Sequence, residues 1–221
     1  MAQSRFLENI PPVTRSILIV NVILFVATLF NEDFMIRTFA MFFPASPLFR
    51  WWQPLTHMFM HGGWWHILFN MYTLVMFGMV VERVLGTKKF LILYFVTGLG
   101  AVALHTGVEW LEVRHLMVSG DPSAQIAYTN VLRTPMVGAS GAIYGVLVAF
   151  AMLYPEARMT LLFPPVTLDA KWMVIIFIGL ELVLGITGTQ VGIAHFAHLG
   201  GALFGFLLVW YWRKHGGLWR R

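Results

Sequence analysis

Six apolar stretches, each near the length of a bilayer crossing, divide this chain: 14–30, 64–84, 89–110, 136–154, 172–187 and 191–212. A spanning helix needs about 20 mainly apolar residues, and some of these runs only just qualify. They are spread along all 221 residues, so a single anchor does not account for them. With 58% hydrophobic and 11% charged residues, the chain lacks the polar surface of a soluble globule, of which about 25% is charged. Lipid offers no water to bare N–H and C=O groups, so such runs must be helical. The fold expected is all-α: a polytopic membrane bundle of six transmembrane helices. It reads as one membrane domain over 1–221, with a short N-terminal segment 1–13 and a basic tail 213–221.

Arg5 and Arg15 ahead of the run Ser16–Phe30 have the layout of a secretory leader. No small-x-small cleavage site closes that run, so a first crossing is the better reading. Residues 31–63 carry Pro44, Pro47, Pro54 and several Trp and Phe, which suits a connection lying partly in the membrane interface. Residues 111–135, with Ser119-Gly120-Asp121-Pro122, read as a more polar loop. Of the fifteen Lys and Arg, only Arg37, Arg50, Arg114 and Arg133 fall outside when the N-terminus is put inside. The positive-inside rule therefore favours two cytoplasmic termini and puts Ser140 and His198 toward the outer face. The net charge of +5 then reflects cytoplasmic loops and calls for no nucleic-acid partner. Absence of cysteine removes disulfides, thiol nucleophiles and thiolate metal sites.

Ser140 lies in Gly138-Ala139-Ser140-Gly141-Ala142-Ile143-Tyr144-Gly145, four residues past Met136 and so about 6 Å along the fourth run if that run is helical from its start. Taken alone, these small residues read first as a helix-contact face. His198 is followed by Gly201 and Gly205, a pair that lets the sixth helix approach a partner closely. If the partner is the small face of the fourth helix, Ser140 and His198 can meet, and a neutral imidazole can take the serine proton. His195, one turn earlier, could do the same. A triad would need a carboxylate. Glu181, Asp121 and Glu112 have no spacing that ties them to His198, so a Ser-His dyad is expected. Tyr144 shares the face of Ser140 and could stack on the imidazole. His66 and Asn70, also one turn apart, could donate to a developing oxyanion or simply bond between helices.

Together these segments resemble the rhomboid family of intramembrane serine proteases: Gly138-Ala139-Ser140-Gly141 with Tyr144, His66-xxx-Asn70, and Ala197-His198 with Gly201-xxx-Gly205. The resemblance spans roughly 14–212. It implies Ser140 as nucleophile and His198 as base. It implies an oxyanion site of His66, Asn70 and backbone amides near Ser140, and Tyr144 against the histidine. It also implies a six-helix core with a water-accessible cavity open to the outer face. The implied reaction is cleavage of transmembrane segments of other proteins near their outer ends, with no metal or cofactor. The bilayer and transmembrane substrates are the implied partners, and a bacterial inner membrane the implied location. One departure is the first outer loop, where Arg50-Trp51-Trp52 reverses the tryptophan-arginine order that many members carry; docking of that loop is therefore open.

Two other classes compete. A membrane-helix binder or chaperone could use the same groove without chemistry, and would keep its function with Ser140→Ala. A membrane metalloenzyme could use His57, His61, His66, His195 and His198, although Met58 after His57 breaks the metalloprotease arrangement and carboxylates are scarce. Otherwise His57 and His61 are expected to line the outer approach to the cavity.

Overall fold

The computed structural model describes residues 8–161, 165–188 and 194–215. The N-terminal residues 1–7 and the tail beyond 215, which carry part of the expected cytoplasmic charge, lie outside the described residues. Helices appear where all six runs were expected: α1 Pro12–Phe30, then α4 Trp64–Leu85 and α5 Thr87–Ser119, and after them α7 Ser140–Leu153, α8 Ala170–Thr187 and α9 His195–His215. Short helices α2 Glu32–Phe39, α3 Gln53–Thr56 and α6 Ala124–Arg133 fill the connections 31–63 and 111–135. One small antiparallel hairpin, β1 Arg158–Thr160 with β2 Thr167–Asp169, joins α7 to α8. The architecture is an all-α membrane bundle.

Four of these helices (α1, α4, α5 and α8) are long and apolar enough to cross a membrane. At 14 residues α7 is only about 21 Å long, short of the roughly 30 Å hydrocarbon core. The 21-residue α9 opens on two histidines. Exposed Ile19, Ile23 and Val26 on α1, and Ile175, Leu182 and Val183 on α8, form apolar outer faces suited to lipid.

Two expectations about the connections are corrected. The stretch 111–135 is not a loop: α5 continues to Ser119, Gly120 closes it in the left-handed region, and α6 follows. At 33 residues α5 measures about 50 Å and outruns the hydrocarbon core. Likewise α7 does not begin near Met136. Met136 forms a two-way bridge with Met41, with N···O distances of 2.9 and 2.8 Å, so the chain arrives extended and turns helical only at Ser140.

The segment 31–63 is ordered around the side chain of Gln53. Gln53, fully buried, accepts from Arg50 N–H at 3.0 Å and donates to the carbonyls of Arg37 and Leu48 at 3.1 and 3.0 Å. Trp52 Nε1 donates to the Thr38 carbonyl at 2.8 Å, and the Thr56 hydroxyl to the Phe39 carbonyl at 2.8 Å. These bonds bring Met41 to Met136 and the His57 carbonyl to Gly138.

The centre of the bundle is the contact of α9 with α5 and α7. A Cβ on Gly201 would overlap the carbonyl oxygen of Gly141, and one on Gly205 would come 2.7 Å from Gly145 Cα. On its other side a Cβ on Gly200 would come 2.6 Å from the Gly100 carbonyl oxygen. Backbones this close gain dispersion contacts that larger residues forbid, which is how helices associate where lipid is as apolar as they are.

The first helix is tied in differently. Pro12 has no N–H to lose at the start of α1, and the next two are taken by a distant carboxylate. Glu82, 2% exposed, accepts from Val13 N–H at 3.0 Å, Thr14 N–H at 2.7 Å and the Thr14 hydroxyl at 2.7 Å. A negative charge at a helix N-terminus is favourable, and here it also fastens α1 to α4. Glu82→Ala leaves these buried donors unmet and should lower the unfolding free energy by at least about 2 kcal/mol. Equilibrium unfolding in mixed detergent checks this; a loss below about 0.5 kcal/mol would contradict it.

Candidate active site

Ser140 sits in the first turn of α7, where backbone N–H groups have no partner within the helix. The turn before it depends on Gly138, whose φ of 131° is a conformation side chains rarely adopt. A Cβ there would come 2.8 Å from His66 Nε2 and 3.5 Å from Ser140 Oγ. Gly138 thus lets the imidazole of His66 lie beside the serine. The His57 carbonyl accepts the Gly138 N–H at 3.0 Å and fixes the turn.

His198, in the first turn of α9, meets the serine: Nε2 to Ser140 Oγ is 2.8 Å. This follows from the glycine contacts, since Gly201 on Gly141 puts His198 opposite Ser140. Tyr144 stacks on the His198 ring with centroids 4.5 Å apart and planes 10° from parallel.

Glu181 was not tied to His198 by sequence spacing, yet the fold brings its carboxylate beside the imidazole. Its Oε1 lies 2.9 Å from His198 Nδ1, although that N–H does not meet it in line. The same oxygen accepts the Tyr144 hydroxyl at 2.5 Å, and Oε2 lies 2.5 Å from His195 Nδ1. The signal available in the sequence was chemical: an ionisable residue in each of two adjacent apolar runs must find a partner, and the other is the nearest candidate.

His66 and Asn70 project together from α4. His66 Nδ1 accepts the Gly62 N–H at 3.4 Å, so the proton belongs on Nε2, the nitrogen beside Gly138. Asn70 gives one amide hydrogen to the His66 carbonyl at 3.0 Å. Its other amide hydrogen is left for the cavity of about 680 Å³ that Asn70 lines with His66, Ser140 and His198. Trp65 and Phe69 form an apolar part of that wall, and His105 and Glu109 a polar part.

His57 and His61 do not line the approach. They are 3% and 1% exposed, behind the cavity wall. His57 Nδ1 bonds the Gln53 carbonyl at 3.2 Å, and the His61 ring meets that of His66 edge-on at 5.0 Å. Among the described residues, Glu181, His195 and His198 are the one group of three whose donor atoms converge, within 4.8 Å. That set could hold a divalent cation, but both imidazoles already face the Glu181 carboxylate.

Burial pushes the His57 imidazole down to about 4, and burial with the neighbouring His66 pushes His61 down to about 3. Unfolded, both would bind a proton near 6.5. Below that pH the unfolded chain takes up protons that the folded one refuses, so stability is complete above about 6.5 and is lost as pH falls toward 4 and then 3. Thermal unfolding in detergent should show a lower Tm at pH 5 than at pH 7, with a smaller drop in His61→Leu. An equal drop in that variant would contradict the assignment.

A helical membrane bundle in which a serine at a helix start meets a half-buried histidine defines a class of membrane protein with a serine-histidine cavity. A rhomboid domain matches residues 48–215, and the chain belongs to the rhomboid family. It is 28% identical over 160 residues to rhomboid protease AarA of Providencia stuartii, covering 72% of this chain and 54% of that protein. To the mitochondrial RHOMBOID-like protein 12 of Arabidopsis thaliana it is 33% identical over 175 residues, covering 78% and 50%. To the mitochondrial Rhomboid protein 1 of Saccharomyces cerevisiae it is 29% identical over 156 residues, covering 71% and 40%. The chain spans about half the length of these curated relatives.

Proposed function

We propose that this protein is a serine endopeptidase that cleaves transmembrane segments of other proteins near the outer face of a bilayer. The observation that carries this reading is the 2.8 Å approach of His198 Nε2 to Ser140 Oγ, in a cavity sunk among apolar helices. A serine alone is a poor nucleophile, and an adjacent base is what activates it. All six helices on the apolar runs cross the membrane on this reading, the short α7 doing so beside the water-accessible cavity. The Lys and Arg bias supports two cytoplasmic termini with the cavity opening outward, and the membrane assigned on this reading is a bacterial inner membrane.

The substrate helix unwinds at the cavity, which supplies the water that lipid excludes. Ser140 Oγ attacks the scissile carbonyl while its proton passes to His198 Nε2. The oxyanion is held by His66 Nε2–H, Asn70 Nδ2–H and backbone N–H groups at the start of α7. His198 returns the proton to the leaving amine. It then takes one from water, whose oxygen attacks the acyl-enzyme, and passes that proton to Ser140 Oγ as the acyl bond breaks. Tyr144 keeps the imidazole plane fixed. Gly138, Gly141, Gly201 and Gly205 hold the backbones close enough for these distances. No step calls for a cofactor.

Labelling of the detergent-purified protein with a fluorophosphonate tests this without a known substrate. The wild type should label, and Ser140→Ala and His198→Ala should not. Asn70→Ala should label roughly 10–1000-fold more slowly. Labelling that survives Ser140→Ala would remove the serine from the role. A folded wild type that stays unlabelled would favour a helix binder that uses the groove without chemistry.

A further inference from the structure

Glu181 is a carboxylate in an apolar helix, a placement that is costly unless the charge is met. It is met three times. Tyr144 Oη and His195 Nδ1 each approach to 2.5 Å, and His198 Nδ1 to 2.9 Å. Two of the three partners belong to the serine's surroundings: the histidine on Ser140, and the tyrosine stacked on that histidine. The close approach of α9 to α8 is permitted by Gly185, one turn beyond Glu181. A Cβ there would stand 3.2 Å from His195 Cβ and 3.3 Å from the Phe196 ring.

We infer that Glu181 is a positioning residue for His198, so that the site works as a Ser140-His198-Glu181 relay. This inference rests on the serine-protease reading. For His198 Nε2 to accept the serine proton it must be unprotonated, which puts the ring proton on Nδ1, and the nearest acceptor to Nδ1 is Glu181 Oε1. The carboxylate selects that tautomer. It also stabilises the imidazolium that forms when the serine proton arrives, while keeping its own charge. Tyr144 is aimed by the same oxygen, so one carboxylate sets both the orientation and the stacking of the imidazole. His195 holds the second oxygen and prevents the carboxylate from rotating away.

The charged and titratable groups around this unit are Tyr144 from α7, His195 and His198 from α9, and, lining the cavity beyond the serine, His66, His105 and Glu109. Glu181→Gln keeps the shape and removes the charge. Its fluorophosphonate labelling rate should fall at least about 10-fold, and up to about 10⁴-fold. The midpoint of its rate against pH should move to lower pH, because the imidazolium has lost its anionic partner. Glu181→Asp should restore the wild-type midpoint with part of the rate. An unchanged rate and midpoint in Glu181→Gln, beside a wild type that labels at Ser140, would overturn the inference while leaving the protease reading intact.

A second measurement needs neither activity nor a folded Glu181 variant. In wild-type protein carrying ¹⁵N-histidine, the His198 resonance, identified by its loss in His198→Ala, should report a proton on Nδ1. A proton on Nε2 would overturn the inference, even if the wild type failed to label.

Discussion

The geometry around Ser140 depends on how closely two helix backbones approach. Gly201 lies on the carbonyl of Gly141 and Gly205 on the backbone of Gly145, with no side chain between α9 and α7. Ser140 is one residue before Gly141, and His198 three residues before Gly201. Fixing the glycines therefore fixes the distance from hydroxyl to imidazole. The third helix shares the arrangement. Thr97 on α5 bonds the Ala142 carbonyl at 3.3 Å, and Gly200 rests on Gly100. Dispersion between close backbones does not weaken in lipid, which suits it to hold a site that must admit water.

Polar groups in such a place must be met by one another. Glu82 is satisfied by the start of α1, Gln53 by the carbonyls of segment 31–63, and Glu181 by the tyrosine and two histidines of the site. Each joins segments far apart in sequence. The buried polar residues are therefore ties between elements as much as chemical groups. The connection 31–63 matters to the serine for this reason. Gln53 orders the segment that brings Met41 against Met136 and the His57 carbonyl onto Gly138. That forces the turn from which Ser140 projects.

Much of this was legible in the sequence because membrane insertion makes hydropathy decisive. The helices fall where the apolar runs are, and the small residues around Ser140 and His198 announced a close contact. What was not legible came from bonds between distant polar residues. Glu181 is 17 positions from His198 along the chain, with a turn between, and spacing carries no information across it. The start of α7 was misplaced because Met136 looks like part of an apolar run, whereas its backbone is bridged to Met41. The stretch 111–135 looked like a loop because its polarity reads as solvent exposure, and α5 extends past the bilayer as an exposed helix. His57 and His61 looked like cavity residues because their burial behind the wall depends on how the segment 31–63 folds back on the bundle.

The central claim is that this bundle hydrolyses peptide bonds inside a membrane. The most direct measurement reconstitutes the protein in lipid vesicles with single-span reporter proteins, in water enriched in ¹⁸O, and reads the products by mass spectrometry. The account predicts a new C-terminus within the reporter's apolar stretch near its outer end, carrying one oxygen from water, and no such product with Ser140→Ala. Reporters left intact by a protein that fluorophosphonate labels, or cleavage that persists in Ser140→Ala, would contradict it.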